Sequence, residues 1–169
     1  MEYEIIRSHR RTMALEVRRD GLVVVRAPQQ IDRRTVERFV NAHGEWIARK
    51  QEEMARRSEA HPEPTAEQAE RYRRMAREYL PDRVAYWSQR MGALPTALHI
   101  TSARTRFGSC SGSNSISLSW RLMQYPPEAI DYVVVHELCH IRHHDHSAAF
   151  WAEVARYLPD YRERQRLLK

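Results

Sequence analysis

Between Pro126 and Ile141 the chain is apolar at most positions and still carries two histidines and a glutamate. Pro126-Pro127 opens this segment and Glu128 falls in its first turn. Ile130, Val133, Val134, Val135, Leu138 and Ile141 follow. That order predicts a buried helix beginning near Pro127. A buried helix does not hold His136, Glu137 and His140 on its inner side unless something satisfies them, because a polar group taken out of water without a partner costs free energy. The segment constrains the fold twice: it must lie in the core, and the core must contain a polar centre.

Histidines four apart share one helix face, so both imidazoles reach the same cation. Glu137 adjoins the first of them, close enough to hydrogen-bond a water on that cation without taking a coordination position. Zinc with two or three protein ligands and one open position is the arrangement of catalytic sites. His136-Glu137-Leu138-Cys139-His140 therefore implies a zinc-dependent hydrolase acting on a peptide or protein. The third ligand must come from beyond the helix. At 1.5 Å rise per residue His136 to His143 spans roughly 10 Å, too far for one tetrahedral zinc unless the helix breaks. His146 reaches the cation if the chain turns just after the helix, and its spacing is that of the longer His-Glu-x-x-His-x-x-Gly-x-x-His motif. His143 stands at the glycine position of that motif. His143, His144 or Asp145 is therefore expected to supply the turn with a positive φ. His146 is the expected third ligand and His144 the alternative, with the helix stopping near Arg142 to His144.

Further segments carry a resemblance. They are Thr105-Arg106-Phe107-Gly108-Ser109-Cys110, Ile116 to Trp120, Arg121-Leu122, Pro126-Pro127, Tyr132 to His140, and His146-Ser147-x-x-Phe150-Trp151. With Arg7-Ser8-x-Arg10-Arg11, Val23 to Pro28 and Trp46-Ile47-x-x-Lys50, they make the chain resemble the YgjP-like metallopeptidase family over nearly its whole length. The family usually carries Trp where this chain has Phe107, which leaves an aromatic in place. The His-Ser-x-x-Phe-Trp tail is also similar to WLM-domain and SprT-like proteases, which act on protein crosslinked to DNA. The resemblance implies a zincin-type fold, with His136, His140 and His146 on zinc and Glu137 catalytic.

A chain of 169 residues suits one domain with a sub-domain. No apolar run approaches the length that crosses a bilayer, and Met1-Glu2-Tyr3-Glu4 does not open a signal peptide. Cys110 and Cys139 are the two cysteines, which suits the reducing cytoplasm better than a disulfide scaffold. Cys139 reads as a packed residue. Cys110 is a candidate thiolate that would close the open zinc position. The net charge of +6 is mixed along the chain, and Lys50 and Lys169 are the only lysines, so bias toward arginine accounts for it. Nucleic-acid contact is not required by this composition. Arg71, Arg73, Arg74 and Arg77 on one predicted helix are its best candidates.

The organisation is α+β. Residues 1–60 are expected to form a small β-sheet plus helix, and residues 61–169 the zincin-like catalytic domain. Tyr3 to Ile6, Met13 to Val17 and Leu22 to Arg26 read as strands, with Asp20-Gly21 turning between the last two. Val36, Phe39, Val40, His43, Trp46 and Ile47 predict one helix over about 33–57, with His43 as a packed or edge histidine. Ser58 to Ala66 reads as a connection. A second helical region over 66–91 carries Tyr72, Ala76, Leu80, Val84, Trp87 and Met91 on one face and is kinked or split by Pro81.

Leu98 and Ile100, then Ile116, Leu118 and Trp120, predict two half-buried strands around a glycine-containing loop. Ser115 to Ser119, with Ser117 at its centre, is the candidate edge strand for pairing an extended peptide. Arg104 and Arg106 are the candidates for orienting substrate. Tyr157, Tyr161, Arg104 and Arg106 are the candidate donors to an oxyanion. Three readings follow: a zinc peptidase with Glu137 as general base, a DNA-associated protease of the SprT-like or WLM kind, and a non-proteolytic zinc-binding interaction module.

Overall fold

A computed structural model describes residues 2–18 and 20–169 of the chain. The fold is mixed α+β, divided into two compact units, Met1–Glu63 and Pro64–Lys169. Among the described residues no helix is long and apolar enough to cross a membrane.

In the first unit, β1 (Tyr3–Ser8), β2 (Ala14–Val17) and β3 (Val23–Pro28) form a sheet in the order β1-β3-β2. β3 pairs parallel with β1 and antiparallel with β2. Gly21 makes the β2–β3 turn at φ +83°, a conformation that costs glycine little. The Arg7 guanidinium donates to the carbonyls of Pro28, Gln29 and Ile31 and holds the chain leaving β3. Asp32 then caps α1 (Arg33–Ala42), accepting from Thr35 N at 2.8 Å. Val23, Val25, Ala27, Val36, Val40 and Ile47 form the core. The single helix expected over 33–57 is instead two, α1 and α2 (Gly44–Ala60). His43 leaves helical geometry at φ −109°, ψ 17°, and its ring Nδ1 bonds the Phe39 carbonyl at 2.7 Å. Gly44, a poor helix former, follows it. The apolar stripe continues across the break, which is why periodicity did not reveal it.

The second unit begins with α3 (Ala66–Met91), opened by a capping box between Thr65 and Gln68 and closed by Gly92 at φ +61°. Pro81 does not split α3. It lies on the exposed face, where water can meet the backbone groups its ring leaves unpaired. β4 (Ala97–Thr101), β5 (Gly108–Cys110) and β6 (Ser115–Ser119) form a second sheet in the order β4-β6-β5. A 3-10 turn at Trp120–Gln124 leads to α4 (Pro127–Cys139), followed by α5 (Ala148–Tyr157) and α6 (Tyr161–Arg166).

α4 is buried because it is apolar nearly all round: Ala129, Ile130, Tyr132 to Val135, Leu138 and Cys139 are all in the core. The Arg83 guanidinium grips Asp131 through two bonds of 2.8 and 2.7 Å and ties α3 to α4. The strand expected at the sheet edge, Ser115–Ser119, is central. Ser117 pairs with His99 on one side and Ser109 on the other. Its backbone is already spent, and alternation of apolar and polar residues does not distinguish an edge strand from a central one. The free edge next to α4 belongs to β5.

Candidate active site

His136 lies on the last full turn of α4, and Nε2 of His140 sits 3.2 Å from its Nε2. His146, on the turn leading to α5, brings its own Nε2 to 3.2 Å from that of His136. The three ligand-capable nitrogens lie within 4.8 Å of one another. A tetrahedral zinc with bonds of about 2.0–2.1 Å to nitrogen sets neighbouring ligand atoms ~3.3–3.4 Å apart, so the spacing suits such an ion.

The rings are held from behind. His140 Nδ1 donates to the His143 carbonyl at 2.8 Å, an oxygen that can only accept, so Nε2 keeps its lone pair toward the cluster. His136 Nδ1 lies 3.4 Å from the Tyr132 hydroxyl one turn earlier. Phe150, fully buried, lies beneath all three imidazoles, its ring centre 4.9, 4.5 and 5.0 Å from those of His136, His140 and His146. Burial, followed by the neighbouring His140 and His146, pushes the His136 pKa down to about 3. Its imidazole is neutral, as metal coordination needs.

The turn that returns His146 differs from the one expected. α4 ends at Cys139, and the amides of Arg142 and His143 both donate to the Cys139 carbonyl. No residue from His140 to His146 has a positive φ. The helix tightens into its last turn and stops, so the glycine position of the longer motif needs no glycine. Outside contacts fix this geometry. Glu153 on α5 takes Arg142 at 2.6 Å and His143 Nε2 at 2.8 Å. Arg142 also donates to the carbonyls of Met91 and Gly92 at the end of α3. His143 is thereby engaged away from the cluster, and His144 is exposed. Asp145 accepts from Ser147 N, and Ser147 caps α5 through Phe150 N. Sequence reasoning missed Arg142 and Glu153, which nothing in their local pattern singles out.

Glu137 is 6% exposed, and burial pushes its pKa up to about 7 against the opposing charge of Arg106. β5 passes directly beside it. A Cβ on Gly108 would fall 2.8 Å from Glu137 Cγ and Oε1. Arg104 and Arg106 are exposed on the loop between β4 and β5. Ser119 Oγ and Trp120 Nε1 hold that loop at Ala103 O (2.8 Å) and Ser102 Oγ (2.9 Å). Cys110 lies outside the histidine cluster, and its thiol is raised by burial and then by the Glu137 charge. Tyr161 stacks on Trp151, which stacks on His146. The four candidate arginines on α3 do not share one open face: Arg71, Arg74 and Arg77 are exposed, but Arg73 lies half-buried over Trp120.

Three imidazoles that could hold a metal ion converge beside a buried carboxylate, and the class here is metallopeptidase. The chain belongs to the YgjP-like family, whose metallopeptidase-domain model matches residues 11–71 and 65–169. Among solved structures, the crystal structure of the metallopeptidase zymogen of Pyrococcus abyssi abylysin is similar at 22% identity with a TM-score of 0.46. The likeness covers 51% of this chain and 88% of that one. No curated protein matches the chain.

Proposed function

We propose that the chain is a zinc peptidase in which His136, His140 and His146 hold the ion and Glu137 is the general base. The observation that carries this reading is the convergence of three imidazole nitrogens within 4.8 Å, two of them 3.2 Å from His136 Nε2, next to a buried carboxylate. When bound, zinc supplies Lewis acidity that polarises the scissile carbonyl and acidifies the attacking water. Glu137 takes the proton of that water and returns it to the leaving amine. The raised proton affinity of its buried carboxyl suits both tasks.

The open edge of β5 is the strand to which an extended peptide would pair through backbone bonds. Arg106, exposed and acting on Glu137 through its charge, is assigned to the oxyanion of the tetrahedral intermediate. The free thiols Cys110 and Cys139 fit a reducing compartment, the cytoplasm.

Metal analysis and peptide hydrolysis test the reading together. The purified chain should hold about one zinc, and Glu137→Gln should keep it while hydrolysis falls roughly 10²- to 10⁴-fold. A Glu137→Gln chain that cleaves at the parent rate rules the mechanism out.

A further inference from the structure

Beside the histidine cluster a concave surface opens between α5 and α6, lined by Trp151, Tyr161, Arg162, Gln165, Arg166 and Lys169. Its floor is aromatic and continuous with the cluster. Trp151 lies over His146 at 5.9 Å between ring centres, and Tyr161 lies over Trp151 at 5.3 Å. Its rim is cationic, and no acidic side chain lines it. Four arginines of this unit, Arg73, Arg83, Arg142 and Arg164, are paired with Glu70, Asp131, Glu153 and Asp160. Among the described residues Arg166 and Lys169 have no carboxylate partner, and the Arg162 Nε bonds only the Tyr161 hydroxyl at 3.2 Å.

Arg162 and Arg166 stand at i and i+4 on α6, a like-charge pair that costs helix stability, and Lys169 follows within the next turn. The helix dipole favours Arg166 in the last turn of α6 but offers nothing to Arg162. A ligand of opposite charge would relieve the repulsion between them.

We propose that this surface is a substrate subsite that takes a carboxylate of the peptide, either an acidic side chain or a free C-terminus. This deepens the peptidase reading and rests on it for the word substrate. The aromatic stack supports the peptide's carbon skeleton, while Arg166 and Lys169 pair with the carboxylate and Arg162 closes the rim.

The test uses the full-length, zinc-loaded Glu137→Gln chain, so that binding is read without cleavage. Fluorescein-labelled decapeptides of Gly, Ala and Ser carry one Glu walked through the sequence with an amidated C-terminus, or no Glu and a free C-terminus. One Glu position, or the free terminus, should tighten binding about tenfold over the neutral amide, as expected for a charge-assisted pair. The gain should vanish with Arg166→Glu and with the milder Arg166→Gln, while affinity for the neutral amide stays unchanged. The arm that shows the gain identifies the source of the carboxylate. Equal binding of acidic and neutral peptides overturns the proposal, as does an equal loss for both in the Arg166 variants. A single-stranded oligonucleotide that binds in an Arg166-dependent way, with no gain at any Glu position, makes the surface a nucleic-acid contact and also overturns it. If selective binding is seen but the wild-type chain cleaves none of these peptides, the peptidase reading fails and the carboxylate pocket stands.

Discussion

Gly108 has no side chain at the point where Glu137 needs the room. A methyl group there would fall within 3.0 Å of Glu137 Cγ, Cδ and Oε1, so the carboxylate would have to move. A displacement of ~1 Å at a reacting group can cost about a hundredfold in rate. Gly108→Ala should therefore keep its zinc and lose most of its turnover, read by metal analysis beside kcat. Turnover unchanged in Gly108→Ala would show that Glu137 does not depend on its place beside β5. The ligand histidines separate in the same way. Nε2 of His146 lies 3.2 Å from that of His136, whereas His144 is not among the three histidines whose nitrogens converge. His146→Ala should weaken zinc binding by orders of magnitude, and His144→Ala should bind nearly as the parent does. A zinc titration in which His144→Ala loses the metal and His146→Ala keeps it would move the third ligand to His144. At this scale the convergence of His136, His140 and His146 was legible, because two histidines four apart in an apolar run must share one buried face. The role of Gly108 was not legible, since a close approach between two segments leaves no mark in either one.

The element that decides the site is the turn from α4 to α5. Its position was set by contacts from far along the chain: Met91 and Gly92 receive Arg142, and Glu153 receives both Arg142 and His143. A local reading saw the helix end three residues later and called on a positive φ that the chain does not use. The same limit explains the break at His43 and the central place of β6. Apolar periodicity runs through the one and is blind to the pairing of the other. The buried α4 and the strands β4 and β6 were legible because burial pattern alone specifies them, whereas the three-residue β5 between them carries no such pattern. Glu153 gives this argument a measurable consequence. Its carboxylate fixes His143, whose carbonyl orients His140, and groups behind a metal ligand are typically worth about 10- to 100-fold in affinity. Glu153→Gln should weaken zinc binding about tenfold or more with far-ultraviolet dichroism unchanged. An unaltered zinc affinity would mean that the turn holds its shape without this pair.

At the scale of the molecule, two cores with no residue in common lie in two units, and every group assigned to the site belongs to Pro64–Lys169. Composition and periodicity told the apolar stripes apart from the connection around residues 58–66, but they could not say whether two cores melt together. Metal binding offers a way to ask. An ion that binds only the folded site adds about 2.7 kcal/mol when free zinc is a hundredfold above Kd. In a unit of about 100 residues each kcal/mol is worth roughly 4–8 °C in Tm, so the gain is on the order of 10–20 °C. That stabilisation enters only the unit whose side chains converge on the ion. Calorimetry of the intact chain should therefore resolve two transitions, one of which moves down by on the order of 10–20 °C on chelation while the other stays in place. His136→Ala should abolish the shift and leave the second transition where it was. A single transition that moves as a whole would show that the units unfold cooperatively, and two transitions indifferent to chelation would remove the metal from the histidine cluster altogether.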